Sequence, residues 1–438
     1  MQNARKLAIE TLVKVEKDGA YSNIAVDKML FDTDLSGKDK ALATSIIYGT
    51  LERKLTLEYV ISKYSKTPIK KLKPFIKMAL MSAVYQLLFM DKIPDSAAVN
   101  ETVNIVKKSS FRSLSGFVNA VLRSFIRDEK KVVYPNSTSE YLSVKYSIDK
   151  SLIDLFVGQY GDETEAILQG FFALDGVSIK VNTTKISTEQ LTRELEKSCT
   201  VVPSNVAKDV LVLKGAGSVR ELYGFSQGFF HVQDSASAVC ASLVGAKENE
   251  RFLDVCAAPG GKSFSIAQSM NNTGEVYALD LYEHKTELIK NGAKRLGLSN
   301  IKSFVNDASV PNDTLGEFDK VLCDLPCSGL GILGKKPEIR YKNVAFVDKL
   351  PSLQYDLLTT SARYVKKGGL LFYSTCTLNE KENFSVVDKF LSNHSEFEPF
   401  SLETDIVRYK KDRENTLTLF PHIHNTDGFF ISAFKKVR

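Results

Sequence analysis

Apolar residues recur three and four positions apart from residue 3 to about residue 130, as in Leu7, Leu12 and Val15, and this spacing places them on one face of a helix. The few residues that break the pattern lie between the periodic stretches: Gly19, Gly37, Pro68, Pro74, Pro94 and Gly116. We predict an all-α bundle of about six or seven helices with short connections over residues 1–130. The polar stretch Asp128–Ser139 is the predicted linker that follows it.

Residues 140–230 combine the spacing of three and four residues that is typical of helices with the two-residue alternation that is typical of strands. Helical patterns over 151–160 and 163–171 precede 177–183, where apolar and polar residues alternate as in a strand. Ser187, with Gln190 three residues later, is typical of a capping box and predicts a helix through Lys197. More strand-like sequence follows at 210–213 and 229–232. We predict a small α+β module that links the flanking domains.

From residue 231 to 438, apolar strands alternate with helical segments, which predicts a mostly parallel, doubly wound sheet covered by helices on both faces. The predicted strands are 251–256, 275–280, 301–307, 320–325 and 369–376, and the predicted helices are 262–270, 283–296 and 352–366. The last strands, 416–420 and 428–436, have no long helix between them. We predict that they form an antiparallel pair that closes one edge of the sheet.

Composition excludes several classes of protein. Of the 438 residues 43% are hydrophobic and 25% are charged, as in ordinary globular domains. The longest apolar stretch, Met78–Met90, falls short of the roughly 20 residues that span a bilayer, and the first residues lack the apolar core of a signal peptide. Six cysteines in 438 residues do not suggest a disulfide framework, and the absence of CxxC spacing argues against a zinc ribbon or a thioredoxin motif. We expect a cytoplasmic protein that does not associate with membranes.

The charge is concentrated in the first third of the chain. The whole chain has a formal net charge of +6, whereas residues 1–131 contain 23 basic and 14 acidic side chains. Six of the lysines lie between Lys63 and Lys77. A concentrated positive field is suited to a polyanion such as RNA, although the lysine run on its own is equally compatible with a solvated helix face.

Candidate chemistry lies at the carboxyl ends of the predicted strands, where open α/β sheets bind their ligands. The first strand runs into a loop of small residues and two glycines, Asp254-Val-Cys-Ala-Ala-Pro-Gly-Gly-Lys262. A phosphate loop is disfavoured because Cys256 occupies its first glycine position, and no GxGxxG dinucleotide motif is present. Asp280 can accept hydrogen bonds from a ribose, and Asp307 from an adenine amine. Each alone is equally compatible with a turn cap, but together they favour S-adenosylmethionine (SAM).

Two cysteines lie at the ends of the next two strands, Cys327 in Asp324-Leu-Pro-Cys-Ser-Gly329 and Cys376 in Tyr373-Ser-Thr-Cys-Thr377. If those strands are parallel neighbours, both thiols meet where the reactive end of the cofactor lies. A thiolate that attacks carbon 6 of a pyrimidine makes carbon 5 nucleophilic enough to accept a methyl group. Asp324 can stabilise the charge that develops on the base. A metal site is a weaker alternative, since no histidine lies near either thiol, and Cys199, Cys240 and Cys323 are expected to be inert.

The motifs DVCAAPGGK, DLPCSG and STCT resemble those of the RNA cytosine-5 methyltransferases. The N-terminal region resembles the NusB-like RNA-binding fold. The stretches 93–103 and 115–123 are similar to those of family members that methylate one cytosine of 16S ribosomal RNA. The resemblance implies a NusB-like bundle over 1–130, the α+β module over 140–230, and a Rossmann-like SAM-dependent methyltransferase domain over 231–438.

The resemblance also implies roles for the site residues. Cys376 is the implied nucleophile, Cys327 assists product release, and Asp324 and Lys262 lie between the cofactor and the target base. The implied SAM-binding residues are Cys256, Ala257, Ala258, Pro259, Gly260, Gly261 and Lys262 for the methionine part, Asp280 for the ribose, Asp307 for the adenine, and Asp324. We expect 16S rRNA as the partner, no DNA substrate, no bound metal and a monomer.

One segment departs from the family pattern, and two other functions compete with this one. Family members have an Arg-Arg-x-Pro-Asp-type segment that ends in Trp, where this chain has Lys335–Tyr341, so contacts to RNA there are expected to differ. The main alternative is a non-catalytic RNA-binding or antitermination factor with a relic methyltransferase fold. A DNA cytosine methyltransferase would use the cysteine at position 327 as its nucleophile and would lack the one at 376.

Overall fold

The computed structural model describes residues 3–18 and 33–438, and these divide into two compact units. The first unit contains the described residues up to Gly158 together with Arg340–Asn343, and the second contains Gln159–Ile339 and Val344–Arg438. The predicted breaker Gly19 lies outside the described residues. Among the described residues, no helix is both long and apolar enough to cross a membrane. The predicted three-domain boundaries stay a prediction.

The first unit is helical, as predicted. In its described part up to residue 130 there are six α-helices: α1 (Ala4–Asp18), α2 (Gly37–Glu52), α3 (Lys54–Tyr64), α4 (Pro74–Phe89), α5 (Asp95–Lys107) and α6 (Ser115–Arg127). Short 3-10 turns occupy Ile69–Lys71 and Arg112–Leu114. The polar stretch after α6 has no regular structure until α7 (Thr138–Tyr146), which precedes α8 (Lys150–Tyr160).

Helix α4 is the centre of this bundle. Ten of its residues are buried, which explains why Met78–Met90 is so apolar without being a membrane segment. It packs tightly against α2, because a Cβ on Gly49 would lie 1.9 Å from Cζ of Tyr85. Its Gln86 side chain accepts a hydrogen bond from Nε of Arg5 at 2.7 Å. The bundle is therefore organised around one largely buried helix.

The second unit begins with the predicted α+β module. Its elements are α9 (Thr164–Ala173), β1 (Val177–Val181), α10 (Thr188–Leu195), β2 (Thr200–Pro203), β3 (Val210–Lys214) and β4 (Phe230–Val232), with 3-10 turns at Gly161–Glu163 and Val219–Glu221. The antiparallel sheet has the order β2-β3-β1-β4. The capping box of Ser187 and Gln190 is confirmed at the start of α10. Strand β2 was not predicted, because it is a short and mostly exposed edge strand.

The remaining elements build the large sheet and its two helical layers. The helices are α11 (Ser235–Val244), α12 (Gly261–Ser269), α13 (Glu283–Leu296), α14 (Leu350–Ala362), α15 (Phe384–Asn393) and α16 (Pro421–His424). The strands are β5 (Arg251–Asp254), β6 (Glu275–Asp280), β7 (Ile301–Val305), β8 (Phe318–Asp324), β9 (Val365–Thr375), β10 (Phe397–Pro399), β11 (Thr416–Leu419) and β12 (Phe429–Lys436). Additional 3-10 turns lie at Asp313–Leu315, Pro337–Ile339 and Val344–Val347.

The sheet order β10-β12-β9-β8-β5-β6-β7 confirms the doubly wound prediction. Strands β5 to β9 are parallel, and β12 is antiparallel to β9. One apolar layer packs α11, α12 and α13 against the sheet, and the other packs α14 and α15 against its opposite face. The chain reverses its direction of winding between β5 and β8, the position at which open sheets of this kind bind ligands.

The predicted C-terminal pair is confirmed, since β11 pairs antiparallel with β12. Strand β12 does not lie at the edge, however, because it is inserted between β9 and β10. Helices α11 and α15 and strand β10 were missed in the sequence. Helix α15 begins shortly after the loop that contains Cys376, α11 follows β4 after two residues, and β10 is only three residues long.

Candidate active site

Four strands of the parallel sheet deliver polar side chains to the same edge. Asp254 ends β5, Asp280 ends β6 and Asp324 ends β8. Asp254 is in register with Leu322 of β8, and Asp324 is in register with Ser374 of β9. Cys376 follows β9 directly. The predicted site residues of these strands therefore converge, because the carboxyl ends of parallel strands share one edge.

The glycine-rich loop between β5 and α12 turns sharply at Gly260, whose φ is +108°. A Cβ at this position would also lie 2.4 Å from Cζ of Phe264, so both the backbone conformation and the packing require glycine. No side chain caps the start of α12. The first-turn N–H groups are thus available to a carboxylate, which is the group that the methionine part of SAM presents.

Asp254, at the end of β5, connects the start of this loop to the helix that follows it. Its side chain is buried, and Oδ2 accepts a hydrogen bond from Oγ of Ser263 at 2.7 Å. Burial raises its pKa to about 7, and the nearby Asp324 acts in the same direction. Asp254 therefore holds the first turn of α12 in place.

The two strand-end aspartates predicted to bind the nucleoside differ in their surroundings. Asp280 is buried, and its Oδ1 contacts the N–H of Tyr282 at 3.4 Å and Nζ of Lys285 at 3.4 Å. Asp307 is exposed, and its Oδ1 accepts hydrogen bonds from the N–H and Oγ of Ser309, which lower its pKa. Asp307 thus does cap a turn, as the alternative interpretation expected. In both residues Oδ2 accepts no hydrogen bond from the described residues and is available to a ligand.

Lys262 and Asp324 form an ion pair of 2.5 Å at the centre of the site. The other oxygen of Asp324 accepts a hydrogen bond from Oγ of Ser374 at 2.8 Å. Burial alone would lower the pKa of Lys262, but the charge of Asp324 outweighs this effect and the pKa is raised. The ammonium also lies 5.0 Å from the ring centroid of Phe429. Lys262 is therefore held as a cation between the glycine loop and the cysteines.

The two candidate cysteines meet, with their Sγ atoms 3.3 Å apart. A thiol hydrogen bond from Cys327 lowers the pKa of Cys376, and the cations Lys262 and Lys336 lower it further against the effect of burial. The pKa of Cys327 is raised well above its ordinary value by the contact with Cys376, by burial and by the charge of Glu382. The pair is thus polarised, with the thiolate favoured on Cys376 and the thiol on Cys327.

The remaining cysteines around the site are poor nucleophiles. Cys240 and Cys323 are fully buried, and burial raises the pKa of each to about 12. Burial also raises the pKa of Cys256, in the glycine loop, well above its ordinary value. Within residues 3–18 and 33–438, no group of three or more His, Cys, Asp or Glu side chains is arranged to hold a metal ion.

Comparison with known proteins places this geometry in a family. The model of 16S rRNA methyltransferase RsmB/F matches residues 241–435, that of the NusB family matches 2–127, and the RsmF/B-like ferredoxin-like domain matches 150–220. The probable ribosomal RNA small subunit methyltransferase B of Bacillus subtilis (strain 168) is 35% identical, over 99% of each chain. Its counterpart from Synechocystis is 34% identical over the whole of both chains.

The chain belongs to the ribosomal RNA small subunit methyltransferase B (RsmB) family.

Solved structures agree with this assignment to the RsmB family. The crystal structure of PH0851 has a TM-score of 0.83 at 29% identity and covers 100% of this chain and 99% of its own. A methyltransferase homolog protein from Pyrococcus horikoshii has a TM-score of 0.61 at 27% identity and covers 69% of this chain and 100% of its own. The predicted NusB-like and methyltransferase folds of this RsmB-family protein are thereby confirmed, and the predicted α+β module matches the ferredoxin-like domain.

Two residues of Lys335–Tyr341, the segment in which this RsmB-family protein departs from the family pattern, form hydrogen bonds within the helical unit. Arg340 is 1% exposed and donates a hydrogen bond from Nη1 to the carbonyl of Glu52 at 3.0 Å. Tyr341 donates a hydrogen bond to the carbonyl of Leu51. Both residues belong to the helical unit. Lys335, at the start of the segment, is also held within the protein, by Asp234 at 2.6 Å and Asp427 at 2.8 Å.

Several residues that shape the site were missed in the sequence. Gly331 donates its N–H to the carbonyl of Cys376 at 2.9 Å, and its own carbonyl accepts from Gly428 at 2.7 Å. A Cβ on Gly331 would lie 2.0 Å from the carbonyl oxygen of Gly428, so these backbones touch. Phe429 was also missed. Ser374 and Lys336 lie in segments that the sequence singled out, but their roles were not predicted, because each acts on a residue that is remote in sequence.

The charge of Lys336 gives a testable pH dependence. The methylation rate is expected to rise with pH as Cys376 becomes a thiolate, and Lys336→Gln is expected to move that rise to higher pH. Removing a nearby cation makes the thiolate less stable and so raises the pKa of Cys376. Lys381→Gln, an exposed lysine in the loop after Cys376, is the matched control. A shift of the profile to lower pH, or equal shifts in both variants, would contradict the assignment.

Proposed function

We propose that the chain transfers a methyl group from SAM to carbon 5 of one cytosine in 16S ribosomal RNA. The observation that carries this proposal is the polarised pair of thiols, 3.3 Å apart at Sγ, beside the Lys262–Asp324 ion pair. A methyltransferase that acts on an atom that is already nucleophilic does not need two cysteines at the same edge of its sheet. They suit a reaction that needs one sulfur to activate carbon 5 and a second group to complete the release.

The residues around the glycine loop fit SAM. The loop from Cys256 to Lys262 would hold the methionine part against the free N–H groups of α12. Asp280 would accept from the ribose hydroxyls, and Asp307 would accept from the adenine amine through the oxygen that the turn leaves free. When bound, SAM supplies an electrophilic methyl group on a sulfonium centre.

The first step is carried out by Cys376. Its thiolate attacks carbon 6 of the cytosine, the sulfur–carbon bond forms, and the electron pair of the C5–C6 double bond becomes available at carbon 5. Asp324 accepts a hydrogen bond from the amino group of the base. The ammonium of Lys262, 2.5 Å from Asp324, stabilises the negative charge that develops on the ring. The base has to leave its stack to reach these groups.

The final step needs a base near carbon 5, and Cys327 is the group adjacent to the nucleophile. Once Cys376 is a thioether, it no longer accepts a hydrogen bond from the thiol of Cys327. The proton of the Cys327 thiol then passes to solvent. Cys327 then takes the proton from carbon 5, the C5–C6 double bond re-forms, and Cys376 leaves as a thiolate. This order restores both sulfurs to their starting protonation states, because the proton taken from carbon 5 replaces the one that Cys327 gave up to solvent.

The helical unit would supply RNA affinity. Five of the six lysines between residues 63 and 77 are exposed: Lys63, Lys66, Lys70, Lys71 and Lys73. Lys77 is instead held by Glu16 at 2.8 Å and Glu58 at 2.7 Å. Phosphate neutralisation by the exposed lysines suits a sequence-independent contact with rRNA. We propose that residues 1–130 bind 16S rRNA, that the 140–230 module assists, and that residues 231–438 catalyse the reaction in a cytoplasmic monomer.

Bisulfite sequencing tests the reaction and its target together. In 16S rRNA from cells that lack the protein, one cytosine that normally resists conversion is expected to become convertible, and the purified protein with SAM is expected to restore its resistance. Conversion patterns that are identical in the two strains would contradict methylation at carbon 5. That result would favour the non-catalytic RNA-binding alternative.

A further inference from the structure

The side chain of Glu382, between β9 and α15, is a fully buried carboxylate. It accepts five hydrogen bonds: from the N–H and Oγ of Ser328 at 2.9 and 2.6 Å, from Nε2 of Gln354 at 3.0 Å, from Nδ2 of Asn379 at 2.9 Å and from Oγ1 of Thr377 at 3.5 Å. Within the described part of the chain, no lysine, arginine or histidine forms an ion pair with it. A buried charge without a cation is costly unless donors surround it, so this arrangement is a specific one.

The donors come from both cysteine-bearing loops. Ser328 follows Cys327, whereas Asn379 belongs to the loop that contains Cys376. The two loops also meet directly, since Oγ of Ser328 lies 2.7 Å from Oγ1 of Thr377. Cys327 directly precedes Ser328, and Cys376 directly precedes Thr377. The Sγ atoms of these two cysteines lie 3.3 Å apart. The carboxylate therefore joins the loop after β8 to the loop after β9 at the position that sets the distance between the thiols.

We propose that Glu382 is a positioning residue that holds Cys327 against Cys376 and thereby enables the release step. This inference rests on the proposed function, because release matters only if Cys376 forms an adduct. Attack by Cys376 does not need Glu382, since the Cys376 backbone is fixed separately by the N–H of Gly331.

An amide cannot replace this carboxylate. Oε2 faces the N–H of Ser328 and the amide nitrogen of Gln354, and Oε1 faces the hydroxyl of Ser328 and the amide nitrogen of Asn379. A glutamine would place its NH₂ group against another N–H donor in either orientation, and the backbone N–H of Ser328 cannot reorient. Glu382→Gln therefore keeps the volume of the side chain but breaks the connection between the loops.

The test compares Glu382→Gln with Glu380→Gln in the full-length protein. Glu380 lies two residues away and pairs with Lys411 at 2.6 Å on the surface. With 16S rRNA and SAM, Glu382→Gln is expected to lower kcat roughly tenfold or more, to leave KM for RNA unchanged, and to accumulate a covalent protein–RNA adduct on denaturing gels. Glu380→Gln is expected to match the wild type.

A milder variant keeps the test decisive if Glu382→Gln does not fold. Ser328→Ala removes one hydroxyl donor and leaves the carboxylate and the backbone N–H contact, so a smaller accumulation of adduct is expected. Equal loss of methylation and adduct in folded Glu382→Gln, or behaviour like that of Glu380→Gln, would overturn the inference. If the wild type and Cys327→Ser form neither product nor adduct, the proposed function itself fails, and the inference fails with it.

Discussion

Cys327→Ser is expected to become covalently attached to its RNA and to remain attached through denaturing gel electrophoresis. In this variant Cys376 still forms its bond to carbon 6, because the cations Lys262 and Lys336 that favour its thiolate are unchanged. Removal of the carbon-5 proton becomes the slow step, since a serine hydroxyl is a far weaker acid than a thiol and so does not lose its own proton to become the base. The variant is therefore expected to release little product.

Cys376→Ser is expected to show the opposite behaviour. Without the thiolate no adduct forms, and methylation falls by at least about a thousandfold because the covalent route is lost. Gel electrophoresis of labelled RNA with each variant, with and without SAM, separates the two cysteines. Trapping by Cys376→Ser but not by Cys327→Ser would reverse the roles proposed for them. Cys323→Ser, at a buried thiol outside the pair, controls for the loss of a sulfur alone.

Asp324→Asn is expected to have the second-largest effect. The substitution preserves shape but leaves the Lys262 ammonium, whose side chain is only 11% exposed, without its counter-charge. Breaking a buried ion pair on one side costs on the order of 3 kcal/mol, so the melting temperature is expected to fall. Methylation is expected to fall by roughly a hundredfold or more, because the amino group of the base no longer faces a charged acceptor and Lys262 loses its fixed position.

A matched substitution at the surface tests whether the effect of Asp324→Asn depends on where the charge is lost. Asp388→Asn removes the same charge from an exposed ion pair with Arg413, in which both side chains are about half exposed. Surface pairs of this kind contribute about 0–1 kcal/mol, so neither the melting temperature nor methylation is expected to change much. Equal effects of the two substitutions on methylation would contradict the role given to Asp324. Differential scanning calorimetry and a labelled-methyl transfer assay measure the two quantities.

Much of the fold was predictable because local patterns and tertiary structure agree in the longest elements. Helix α13 has the predicted bounds, since its amphipathic pattern and the glycine at its end are both local signals. The ends of strands β5, β6 and β8 place Asp254, Asp280 and Asp324 where the sequence predicted them. The edge elements were less predictable. Strand β12 is inserted between β9 and β10 because of pairing with residues some 60 positions away along the chain.

The sequence by itself determined the class of the fold, the glycine loop, the strand-end aspartates and the two cysteines, because hydrophobic periodicity and short motifs are local properties of the chain. Only the tertiary structure decided that the two thiols touch, that Cys376 and Cys327 differ in pKa, and that Glu382 connects their loops. The physical reason is that these properties depend on distances between groups about 50 residues apart along the chain. Burial and electrostatic interaction arise only when the sheet brings those groups together.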